Sequence, residues 1–195
     1  MSNRAVAAMV VPRFIGAFPS VLTVEAEVLR RSLHEFSVAS WPVLEPGTEF
    51  VDNWHLEVID DHLEAVTKGK IRNLIINIPP RCTKSTKVNV QWPAWEWASR
   101  PQEQYLTASH ADELATRDAF KMRLLVESPW YQARFGHQVT LRHDQNAKTR
   151  FVNTKNGDRL SVGVNGAVMG RHAHLLIIDD PLDPNQAHSD AEIRA

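Results

Sequence analysis

The chain of 195 residues reads as an α/β protein in which helices flank a mostly parallel sheet. Three observations predict this. Apolar or β-branched runs at 73–78, 104–108 and 174–178 have strand length and end in prolines, a Ser-His pair and paired aspartates. Between them, apolar residues recur at helical spacing. Hydrophobic residues make up 43% of the chain and charged residues 23%, enough apolar material for a packed core and unlike a disordered chain.

Taken in order, residues 1–20 show no period and read as a flexible N-terminal tail. Val24, Val28, Leu29, Leu33 and Phe36 predict one helix over 24–37, and Pro42, Pro46 and Gly47 a turn-rich link. Leu56, Val58, Ile59, Leu63 and Val66 predict a helix over 54–66 that Gly69 stops, so 21–70 form a helical segment. Asn73–Ile78 reads as a buried strand halted by Pro79-Pro80. A helix over 84–99 follows, kinked at Pro93, with Trp92, Trp95 and Trp97 as core residues. After a second strand, Ser109 and Asp112 give a capping signature for a helix to about Glu127. Alternation over 139–163 around Gly157 predicts a β-hairpin, and a last buried strand leads into Asp179-Asp180-Pro181, so 71–195 form the α/β core.

Several functional classes drop out. A net charge of −1 gives no global attraction for a polyanion. One stretch stands apart: residues 134–159 hold Arg134, Arg142, Lys148, Arg150, Lys155 and Arg159 against Asp144 and Asp158, which is either a solvated face or a surface for DNA phosphates. The single cysteine, Cys82, excludes an internal disulfide and a cysteine-based zinc site. His172 and His174 alternate on one strand with no third ligand at zinc-like spacing, and are expected to pack. Pro12 and Arg13 cut the apolar run at 5–11 short of a secretory signal, and no run approaches the ~18–20 apolar residues that cross a bilayer, so a soluble cytoplasmic protein is expected.

The chemistry lies in Ile78-Pro79-Pro80-Arg81-Cys82-Thr83-Lys84-Ser85-Thr86. A phosphate-binding loop joins a strand to a helix through a turn whose N–H groups face the anion. A lysine then reaches the β- and γ-phosphates and a hydroxyl ligates Mg²⁺. Lys84 and Ser85 match those types in place, while Ile78 and Thr83 stand where the pattern has glycine. An ordinary strand–turn–helix with an exposed lysine is the competing reading of this segment. Asp179 and Asp180 add weight: one carboxylate at a strand end holds Mg²⁺ in phosphate-loop enzymes, and a second can polarise water. A solvated acidic turn closed by Pro181 is the alternative there.

The chain resembles the N-terminal ATPase region of the large subunit of tailed-phage terminases, the motors that package DNA. The likeness rests on Trp54–Glu57 with Asp61–Val66, on Arg72–Ser85, on Leu106–Ser109 with Leu114–Asp118, on Glu127–Gln132, and on Gly170-Arg171 running to Asp179-Asp180-Pro181. Loops beginning Pro-Pro-Arg are known in that family, and Thr83 departs from its pattern. The resemblance implies a P-loop NTPase of the ASCE type with a β-hairpin insertion. ATP and Mg²⁺ would be its cofactors.

By the same resemblance Pro80, Arg81, Cys82, Thr83, Lys84, Ser85 and Thr86 would cradle the nucleotide, and Trp54 and His55 would contact adenine. Ser85 and Asp179 would bind the metal. Lys84, Arg81 and the general base Asp180 would be catalytic, with Arg171 a further candidate for an arginine finger. Double-stranded DNA, the procapsid portal, the terminase small subunit and other copies in a ring would be partners, in the host cytoplasm and with no membrane. The family continues beyond the acidic strand with another core strand and a nuclease, whereas fifteen residues follow Asp180 here, so the resemblance also implies an incomplete core and no nuclease domain. The rival function is a nucleotide-incompetent fragment serving assembly or binding. A superfamily-2 helicase is disfavoured by the lack of that group's boxes.

Overall fold

Ser32 divides the first predicted helix in two. In the computed structural model, which describes residues 19–163, 170 and 172–181, helix α1 spans Val21–Arg31 and α2 spans Leu33–Leu44. Ser32 is extended between them, and its hydroxyl accepts the Glu35 N–H as an N-cap. The Leu33 N–H is satisfied by Glu64 Oε1 at 2.8 Å, which pins the break to helix α3, Trp54–Thr67. Pro42 lies inside α2 rather than in the link, and Gly69, with φ of 70°, ends α3 in the left-handed conformation glycine permits.

Residues 73–79 form no strand, contrary to the sequence expectation. They have no regular secondary structure, and among the described residues none of their backbone groups enters a ladder. Leu74, Ile76 and Ile78 lean on the core while Ile75 is 86% exposed, so the alternation of a strand is present without a partner. The kink at Pro93 takes a definite form. Thr86–Gln91 make a π-helical turn, closed by a Trp92 N–H to Lys87 carbonyl bond, before α4, Trp92–Trp97. All three tryptophans of this region are buried, as expected.

The sheet has five strands in the order β2-β3-β4-β1-β5, with β1 at Gln104–Ser109, β2 at Leu141–Asn146, β3 at Arg150–Asn153, β4 at Asp158–Gly163 and β5 at Leu175–Asp179. Central β1 is parallel to β4 and β5, whereas β2–β3 and β3–β4 are antiparallel. The sheet is therefore mixed, not mostly parallel. The predicted hairpin is no insertion either: its second run is β4, which continues the sheet through β1. Gly157 makes the β3–β4 turn possible, because a Cβ there would lie 2.1 Å from the Pro101 carbonyl oxygen.

Helix α5, Asp112–Glu127, packs on β1 and β4, and the π turn packs on β5. They cover the face carrying Tyr105, Thr107, Arg159, Ser161 and Ile177, whereas Leu176 and Ile178 on the opposite face of β5 are exposed. Ser109 is the buried end of β1 and does not cap α5, whose N-cap is Ala111. Helix α6, Pro129–Phe135, is capped by Ser128 and joins Phe36 of α2 through edge-on contacts with Tyr131 at 6.3 Å. Among the described residues no helix is long and apolar enough to cross a membrane. The N-terminal tail through residue 18, Arg171 and the segment after Pro181 lie outside the described residues.

Candidate functional site

The turn after Pro80 is bent by two residues in the left-handed region, Arg81 at φ 68° and Thr83 at φ 57°. A β-branched residue pays for that conformation in steric strain, which supports glycine as the usual choice at position 83. Ile78, at the other position where the pattern has glycine, is not among the residues with positive φ. The N–H groups of residues 83–85 donate to no described backbone carbonyl, and the first helical bond is Lys87 N–H to Thr83 carbonyl. They are thus the free donors of a helix start.

Lys84 links this turn to the end of β5. Its Nζ lies 3.0 Å from Asp179 Oδ1 and 2.7 Å from Asp180 Oδ1. Burial alone would lower the ammonium pKa, but the hydrogen bonds to Asp180 and Asp179 outweigh it and hold Lys84 above the ordinary lysine value. Asp180 has φ of 45°, and its carbonyl accepts both the backbone N–H of His110, at 3.2 Å, and His110 Nδ1, at 2.9 Å. A cavity of about 460 Å³ is lined by residues 78–86 and Asp180. Ser85 and Thr86 border it, and Arg81 is exposed at its rim.

Beside that polar cradle is an apolar cavity of about 470 Å³, bordered by Trp54, His55, Val58, Ile75 and Ile78. The two cavities share Ile78, Pro79 and Cys82. Trp54 is 75% exposed and meets His55 edge-on at 6.1 Å, so the ring is available to a ligand rather than committed to the core.

No protein-family model matches the chain, and no curated protein matches it.

The structure therefore brings together Pro80 through Thr86, Asp179 and Asp180, with Trp54 and His55 next door. Other expectations fare differently. Of the basic residues at 134–159, Arg159 is fully buried, and Arg134, Arg142 and Arg150 pair with Glu25, Asp144 and Asp158. Lys148 and Lys155 are exposed, so the stretch keeps a solvated face with part of its charge paired. His172 and His174 do not pack inside: both are exposed, and His174 Nδ1 meets Glu103 Oε2 at 2.8 Å.

A buried layer under the loop escaped the sequence reading. Lys87 is 1% exposed, with its Nζ 2.5 Å from Asp60 Oδ2, and His34 Nδ1 reaches the same oxygen at 3.1 Å. Burial pushes Asp60 up and Lys87 down, each opposed by the attraction of the other. Asn89 also lies in this layer. The one local signal for it was its spacing, five residues after Lys84 and four before Pro93.

Proposed function

We propose that this chain is the ATP-hydrolysing part of a viral terminase large subunit, coupling Mg-ATP hydrolysis to the movement of double-stranded DNA into a procapsid. The observation that carries the nucleotide half of this reading is the Lys84 ammonium, held between Asp179 and Asp180 at the mouth of a loop with unclaimed N–H groups. The adjoining apolar chamber has the size and lining for a purine. The DNA, portal, small-subunit and ring-partner half rests on the sequence resemblance.

The residues present fit a divalent ion. A cation, the Lys84 ammonium, already bridges the two carboxylates. Among the described residues no group of three or more His, Cys, Asp or Glu side chains could hold a metal by itself. Two carboxylates and a hydroxyl suit Mg²⁺, which keeps waters and shares substrate phosphates. Asp179 and Ser85 would hold it. Its chemistry there would be to neutralise charge on the β- and γ-phosphate oxygens.

In this reading Lys84 exchanges its carboxylate partners for phosphate oxygens when nucleotide arrives. Asp180, thereby released, accepts a hydrogen bond from the attacking water and orients it. Arg81 supplies a further positive charge from the loop, and the N–H groups of residues 83–85 hold the phosphates in place. His110 fixes the backbone from which Asp180 projects.

A nucleotide-incompetent assembly fragment is the second reading, favoured by the left-handed Thr83 and by the 73–79 segment, which has no ladder partner among the described residues. Calorimetry of ATP with Mg²⁺ on the chain and on Lys84→Ala separates the two. Binding that the substitution abolishes supports the ATPase, and no binding by either supports the assembly role. Alkylation of Cys82 gives a second readout, because the thiol lies on the wall shared by both cavities. ATP should slow it at least several-fold if nucleotide occupies them.

A further inference from the structure

Pro93 has no N–H, so the carbonyl four residues before it, that of Asn89, lacks the donor an unbroken α-helix would give it at that position. In this fold Arg159 supplies one: its fully buried guanidinium donates from Nη1 to the Asn89 carbonyl. Burial pushes Arg159 down to about 10, which leaves it charged at neutral pH. The same proline sits just past the π-helical turn, where closure on the fifth residue replaces closure on the fourth. Asn89 lies within this widened turn, five residues after Lys84. Both then touch one carboxylate: Asn89 Nδ2 donates to Asp179 Oδ2 at 2.9 Å, and Lys84 Nζ meets Asp179 Oδ1 at 3.0 Å.

Asn89 is 4% exposed. Its amide N–H₂ also donates to Asp118 Oδ2 at 3.1 Å, and two carboxylate acceptors leave only one orientation for that amide. Its own Oδ1 is buried with no partner among the described residues, a cost tolerated for the sake of the two donated bonds.

We infer that Asn89 is the positioning residue of Asp179, engaging one carboxylate oxygen so that the other is presented to Lys84 and, with nucleotide bound, to Mg²⁺. This rests on the reading of the site as a Mg-nucleotide site. Outer partners that orient a ligating carboxylate typically change metal affinity by about 10- to 100-fold when removed.

Asn89→Leu keeps the number and branching of the side-chain heavy atoms and removes both donors. The experiment is ATP titration by calorimetry across a range of free Mg²⁺ and again in EDTA, with thermal unfolding of each protein. The inference expects the Mg²⁺ concentration for half-maximal enhancement of ATP binding to rise at least about tenfold. Metal-free ATP affinity should stay within a factor of two of the parent. A Mg²⁺ midpoint unchanged within twofold overturns it, as does a parallel loss of metal-free binding, which would mean general damage to the loop. If Asn89→Leu does not fold, Asn89→Ser is judged by the same two numbers. A parent chain that shows no Mg²⁺-dependent ATP binding overturns the nucleotide reading and this inference together; a responsive parent with an equally responsive variant overturns the inference alone.

Discussion

Lys84 and Asp180 stand 96 positions apart in the chain, yet Lys84 Nζ lies 2.7 Å from Asp180 Oδ1. The contact joins the loop before the π turn to the end of β5, and Asp179 completes it from the preceding residue. Two aspartates at a strand end repel each other unless a cation stands by. Here the cation is the Lys84 ammonium.

That contact has a pH signature. Because the folded pKa of Lys84 is raised, its contribution to stability is fully present below the unfolded lysine value of ~10.4 and is lost as pH climbs through the higher folded value. Denaturant unfolding of the parent and Lys84→Met from neutral to strongly alkaline pH should show a constant gap that closes only above ~10.4. A gap that closes on the acid side of that value would assign the stabilisation to another group.

Thr83 occupies a backbone conformation suited to glycine. Strain of ~1–3 kcal/mol at such a residue exceeds the ~0.5–1 kcal/mol of backbone entropy that glycine costs. Thr83→Gly should therefore stabilise the protein by about 1 kcal/mol, or roughly 2–4 °C in thermal midpoint. Ile78→Gly, at a position without positive φ, should instead destabilise it. The same melting curves check both.

Trp54 should act on the base and not on the phosphates. Base–aromatic stacking is worth ~1–3 kcal/mol by alanine substitution, so Trp54→Ala should weaken ATP binding at least about fivefold. Affinity for inorganic tripolyphosphate should hold, and stability should change by no more than ~0.5 kcal/mol because the ring is mostly exposed. Equal losses for both ligands would place the effect in the loop.

Ser32→Ala removes the N-cap of α2. Stability should fall by about 1 kcal/mol, read from chemical denaturation. Nucleotide affinity should be unaffected, since Ser32 borders neither cavity.

Some of this was legible along the chain. The period of Leu56, Ile59 and Leu63 placed α3, and Gly69 marked its end. Ser32 and Glu35 also spell a capping box, a local signal overlooked because the apolar period runs across it. The loop residues and the acidic pair were found from residue type and order, since a free helix start, a lysine and a carboxylate pair are chemical requirements that a sequence can display.

What the sequence determined was local: apolar period, caps, the missing N–H of Pro93 and the acids at the end of β5. Such preferences act over a few residues. Tertiary packing alone decided that 73–79 would find no ladder among the described residues, that Arg159 would be buried against the Asn89 carbonyl instead of facing solvent, and that Asn89 and Lys84 would share Asp179. A backbone group or charge carries no local mark of its distant partner. Which groups meet depends on how the sheet and the π turn fill space together, because a buried polar atom must take whatever partner that packing brings within reach.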